Sequence, residues 1–127
     1  MKSILTLFLI TFSYSLSAQS VTLKKRFLIT YVGKIPSYEM NLNNQLIPVN
    51  STNIEVTLTK DSIYVNVGES KWDGTYTVSK IEKKRYELTG KMIGTGIPER
   101  LLLDTKLKKL SRKGLFPQPD AILEKKK

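Results

Sequence analysis

The chain contains no cysteine and no histidine in 127 residues. Without cysteine there can be no disulfide and no thiolate metal site, and a lipid-modified N-terminal cysteine of the lipoprotein type is excluded. The absence of histidine removes the usual general base near neutral pH, the commonest neutral metal ligand and the imidazole that activates a serine nucleophile. A Ser–Lys arrangement survives on paper in Ser70 with Lys71 or Ser79 with Lys80. Adjacent residues on a strand face opposite ways, so both pairs read as surface side chains. Acidic residues are scarce, eleven against twenty-one Lys and Arg. They form no cluster, and Asp61, Asp73, Asp104 and Asp120 all fall where turns are expected, as Asp bonds to local backbone amides. Gly90-Lys-Met-Ile-Gly-Thr-Gly96 lacks the spacing and the Lys-Ser/Thr ending of a phosphate loop and reads as a strand end. No catalytic residue, metal or cofactor is expected, and the chain is read as non-enzymatic.

No uncharged stretch is long enough to cross a bilayer. The apolar run Ile4 to Phe12 is about half of the roughly 20 residues required. It follows Met1-Lys2 and precedes the small residues Ser13 to Ser20, the three-part layout of a secretory signal peptide. Cleavage is expected after Ala18, with Ser17 as the alternative, leaving residues 19–127 as one exported domain, periplasmic or secreted. The Ser-Ala-Gln-Ser junction resembles signal peptides of Bacteroidetes-type bacteria. Asp61-Ser62-Ile63 likewise resembles the short O-glycosylation motif of exported proteins of that type, with Ser62 as acceptor. Asn50-Ser51-Thr52 fits the N-glycosylation triplet.

Alternation dominates what is there. Thr22 to Gly33 reads as a long first strand and Tyr38 to Leu42 as a short second one. Asn41 to Thr52, with four Asn and a Pro, reads as loop. Ile54, Val56 and Leu58, then Ile63, Val65 and Val67, alternate with polar residues around Lys60-Asp61 and predict a hairpin. Asp73-Gly74 is the strongest turn dipeptide. Tyr76 and Val78 share one face of the next run, as do Tyr86, Leu88, Gly90 and Met92 of the one after. Arg100 to Asp104 and Leu107 to Arg112 read as a hairpin, and Ala121 to Glu124 as a last strand. The expected fold is all-β, an antiparallel meander of about eight or nine short strands closed into a small barrel or folded as a sandwich. The leucines between 97 and 115 also suit one amphipathic helix over 98–113, with Pro98 in its first turn and Gly114 past its end.

Trp72-Asp73-Gly74-Thr75-Tyr76 resembles the Trp and Gly that begin a strand in lipocalin-like and other calycin barrels. There the motif lies on the first strand; here it follows several. The resemblance implies an up-and-down barrel with an internal cavity for an apolar small molecule, Trp72 capping one end and Tyr76, Val78, Tyr86, Leu88 and Met92 lining it. Such a cavity should exceed about 300 Å³.

Net charge is +10, one less once Lys2 is removed. Basic clusters lie at Lys24-Lys25-Arg26, at Lys83, Lys84 and Arg85, and at Lys106, Lys108, Lys109, Arg112 and Lys113. In an exported protein such a surface points to anionic glycan or lipid and not to nucleic acid, whose binders also expose stacking aromatics. A second class is an envelope structural subunit or inhibitor acting through a sheet edge. N-terminal sequencing of the exported protein should return Gln19 as the first residue, or Ala18 if the alternative site is used; recovery of Met1 would remove the export reading.

Overall fold

A computed structural model describes residues 21–127; the signal-peptide reading and its cleavage point lie outside them. Alternation has its expected consequence. Among the described residues ten strands form: β1 (Thr30–Ile35), β2 (Tyr38–Leu42), β3 (Gln45–Val49), β4 (Thr52–Leu58), β5 (Ser62–Val67), β6 (Ser70–Glu82), β7 (Arg85–Met92), β8 (Glu99–Asp104), β9 (Lys109–Arg112) and β10 (Ala121–Lys125). Eight of them close an antiparallel barrel in the order β1-β10-β9-β8-β7-β6-β5-β4, while β2 and β3 form a separate two-stranded arm. This up-and-down barrel is consistent with a calycin-like fold. β10 closes the ring on β1 through Tyr31↔Lys125 to Gly33↔Leu123. Closure gives every barrel strand a hydrogen-bonded neighbour on both sides, so the main sheet has no free edge.

One register parity points inward on every barrel strand. Tyr31, Ile54, Val56, Leu58, Ile63, Val65, Leu88, Leu103, Leu110 and Leu123 are essentially inaccessible and fill the interior. β1 also needs Gly33 inward, because a Cβ there would meet the Ile122 carbonyl oxygen at 2.5 Å where β10 crosses closely.

Four expectations require correction. Residues 98–113 are the hairpin β8–β9 and not a helix: Leu101, Leu103 and Leu110 point inward on the strand period while Leu107 is exposed. Asp73-Gly74 is not a turn but the middle of β6. A Cβ on Gly74 would lie 2.0 Å from the Lys91 carbonyl oxygen, so this glycine serves close approach of β7 to a long strand. The β5–β6 turn instead uses Gly68, at φ 59°. The Asn-rich stretch 41–52 is not all loop. Asn43 and Asn44 both take left-handed φ, of 52° and 64°, which makes the tight hairpin turn between β2 and β3. Finally, the first strand begins only at Thr30. The preceding Lys25–Phe27 forms one 3-10 turn that inserts Leu23 and Phe27 into the barrel end.

That plug is tied down from inside. The Tyr31 hydroxyl, buried, donates to the Phe27 carbonyl at 2.9 Å. Burial first, and nearby Tyr76 second, push the Tyr31 phenol up to about 12 from 10.0. The folded protein therefore holds this proton more tightly than the unfolded chain. The stabilisation is complete below pH 10 and is lost as pH rises toward 12. Tyr31→Phe should cost about 1–2 kcal/mol at neutral pH. Urea denaturation across the alkaline range should find the gap between wild type and variant narrowing between pH 10 and 12.

Candidate functional site

The barrel interior is full, so the two ends carry the accessible chemistry. At the open end, β8 and β9 each begin or end with a charged residue on the inward parity. Glu99 precedes Leu101 and Leu103, and Arg112 follows Leu110; they are 8% and 7% exposed. They form a two-pronged ion pair: Arg112 Nε donates to Glu99 Oε2 and Nη2 to Oε1, both at 2.9 Å. Nη1 donates to Gln118 Oε1 at 2.7 Å, from the loop between β9 and β10. The same loop is held by Lys113 N–H to the Arg100 carbonyl and by Gly114 N–H to Asp120 Oδ1, each at 2.9 Å. A planar guanidinium matched to a carboxylate with a third acceptor offsets much of the desolvation that burial imposes.

Above this pair lies a cup of about 680 Å³. Its walls come from segments far apart in sequence: Tyr38 and Met40 of β2, Ile97 of the β7–β8 loop, and Leu115 and Phe116 of the β9–β10 loop, with Trp72 of β6 half-buried beside them. The arm presents an apolar face, because Tyr38, Met40 and Leu42 lie opposite Val49, Ile47 and Gln45. Phe116 is 94% exposed at the rim.

At the plugged end a second hollow of about 580 Å³ runs between Val21, Leu23 and Leu28 of the plug and Tyr76 and Val78 of β6, flanked by Lys25 and Lys60. The Tyr76 hydroxyl donates to the Thr59 carbonyl at 2.6 Å. Burial, and then the charge of Asp61, raise its pKa.

The six residues proposed to line one internal cavity are thus distributed over the molecule. Val78, Leu88 and Met92 are core. Tyr76 and Tyr86 are half-buried toward the plugged end, and Trp72 borders the cup at the other. Ile63, Val65, Leu101 and Leu103 occupy the space between them. The basic residues divide as well. Lys83, Lys84, Arg85, Lys106, Lys108 and Lys109 sit on or beside the β6–β7 and β8–β9 turns at the plugged end. β9 then runs about 10 Å along the barrel, which carries Arg112 and Lys113 to the cup. Arg112 is therefore corrected from a surface anion binder to one half of a buried ion pair. Arg85 is engaged by Asp104 at 3.6 Å and Glu82 at 3.8 Å, and Lys109 by Glu124 at 3.6 Å. Ser62 is half-buried at the start of β5, its N–H donating to Thr59 Oγ1.

Sequence reasoning missed Glu99, and in the arm it recognised the alternation of Tyr38, Met40 and Leu42 but not the partner strand β3. The signal for Glu99 was present, since it shares the parity of Leu101 and Leu103. Among the described residues no three His, Cys, Asp or Glu side chains gather as metal ligands, and no helix is long and apolar enough to cross a membrane. The fold and its two ends define an eight-stranded up-and-down barrel with a filled interior. No protein-family model, curated protein or solved structure compared with the chain matches it.

Removing one partner from the buried pair strands the other charge. Glu99→Gln should destabilise by about 3–5 kcal/mol in urea denaturation, and Glu99→Leu combined with Arg112→Met should recover most of that.

Proposed function

We propose that this chain is an exported, non-enzymatic binding protein. The open end of its barrel holds a small amphiphile, an apolar body with an anionic head. One observation carries the reading: apolar side chains from three separate segments converge on a single concavity above a core with no room of its own. Exposed apolar side chains concentrated around one hollow mark a binding surface. The volume of about 680 Å³ falls within the range of small-molecule sites. The head-group preference follows from Arg100 and Lys113 on the wall, which are exposed and make no ion pair among the described residues. Glu99, the carboxylate in the cup, is neutralised by Arg112. This differs from a lipocalin-like calyx in one respect: the ligand rests in the mouth and does not enter the barrel.

The rival reading, an envelope subunit or inhibitor that recruits a partner strand, keeps one candidate. Since the barrel has no free edge, that role falls to the arm β2–β3.

Trp72 is the only tryptophan and borders the cup, so its emission reports occupancy directly. Titration with palmitate should give a saturable blue shift. Combined Leu115→Ala and Phe116→Ala should weaken binding by roughly tenfold or more, from the apolar contact removed. A non-saturable change, or an affinity untouched by the double variant, would overturn the reading.

A further inference from the structure

We infer that the plugged end of the barrel is a docking surface for a phosphate-bearing lipid membrane. The inference concerns the opposite end from the amphiphile cup and stands independently of it. Three segments remote in sequence meet there: the plug with Lys24 and Arg26, the β6–β7 turn with Lys84, and the β8–β9 turn with Lys106. They enclose a hollow of about 300 Å³ whose lining includes no carboxylate. The two turns are locked together, since the Thr105 N–H and hydroxyl both donate to the Lys84 carbonyl, at 2.9 and 3.0 Å.

The acids of the two turns, and Glu124 beside them, are already engaged. Asp104 accepts the backbone N–H groups of Lys106 and Leu107 at 3.0 Å and faces Arg85. Glu82 also meets Arg85, and Glu124 meets Lys109. Lys24, Lys84, Lys106 and Lys108 make no ion pair among the described residues, so their charges are directed at solvent.

Backbone conformation supplies an independent argument. Seven described residues take left-handed φ. Toward the cup end these are Asn43, Asn44, Gly68, Gly94 and Gly96, the residue types that tolerate it. At the plugged end the same conformation is held by Lys84 at φ 70° and Lys108 at φ 56°. Asn or Gly would fit both turns with less strain. What lysine adds at those two positions is charge.

The turn tip distinguishes a membrane from a soluble polyanion. Leu107 stands between Lys106 and Lys108 and is 61% exposed. A dissolved acidic glycan gains little from such a side chain. At a lipid surface the lysines meet head-group phosphates while the leucine enters the acyl boundary.

The test is co-sedimentation of the mature chain with phosphatidylcholine vesicles, with and without phosphatidylglycerol. Binding is expected only with the anionic lipid, and it should fall steeply as salt is raised. Lys84→Asn combined with Lys108→Asn should weaken binding about thirtyfold, the effect of two surface lysines. The same variant should raise the denaturation midpoint, because Asn relieves the strain. This opposed pair of changes distinguishes a docking role from a structural one. Arginine at both positions should preserve binding without the gain in stability. Leu107→Ser should weaken vesicle binding at unchanged charge. The palmitate response of Trp72 should be unchanged in all these variants, so failure here and failure at the cup are separable. The inference is overturned if wild type ignores anionic vesicles, if the double Asn variant binds as wild type does, or if Leu107→Ser has no effect. Retention on heparin without vesicle binding would also overturn it, in favour of a soluble polyanion.

Discussion

Closure of the sheet around a filled interior is the constraint from which the rest follows. β10 pairs with β1 and leaves no strand of the ring unsatisfied. The inward side chains are then held in a space of fixed diameter, and in this chain Ile, Val, Leu and Tyr31 fill it. A small barrel whose central inward positions are filled by large apolar side chains is a packed core and not a vessel. Anything the molecule binds is accordingly displaced to its ends, where turns and the added arm supply surfaces that the strand repeat does not dictate.

The ends differ because each is assembled from a different set of connections. One gathers the arm, the β7–β8 loop and the β9–β10 loop over the Glu99–Arg112 pair, with apolar side chains, Arg100 and Lys113 around it. The other gathers a plug and two tight turns that are rich in lysine. An antiparallel meander sends alternate turns to opposite ends, so residues close in sequence part company across a strand as short as β9. The buried pair bears on the first end in a specific way. It neutralises the carboxylate in the cup and, through Gln118, braces the loop that carries Leu115 and Phe116. The excess positive charge gathers at the plugged end, where a hollow between the plug and two turns holds four cations and no carboxylate.

Much of the fold was legible. Strands β4, β5 and β7 alternate so plainly that their inward residues are readable directly, and the inward parity of Tyr86, Leu88, Gly90 and Met92 holds in the barrel. Less was legible where two physical causes share one residue signature. Gly74 follows Asp and resembles a turn, although it is needed for close strand approach. Asn43-Asn44 and Pro48 resemble a loop, although the first two build a tight hairpin turn and the proline sits in an arm with free edges, where a missing N–H is tolerated. The candidate site was less readable still. Of six residues assigned to a cavity only Trp72 borders the cup, because inward parity cannot say whether an inward residue lines a void or fills it.

By itself the sequence determined the period of its strands, which residues face inward, the lack of thiol and imidazole chemistry, and the excess of positive charge. These are properties of neighbours along the chain, and side-chain chemistry with a two-residue repeat suffices to specify them. Only the tertiary structure decided that the barrel is full, that Arg112 lies buried against Glu99, and that lysines from separate clusters surround one hollow while Lys113 stands at the other end. Those outcomes depend on barrel diameter and on which turns share an end, and both arise only when the last strand meets the first.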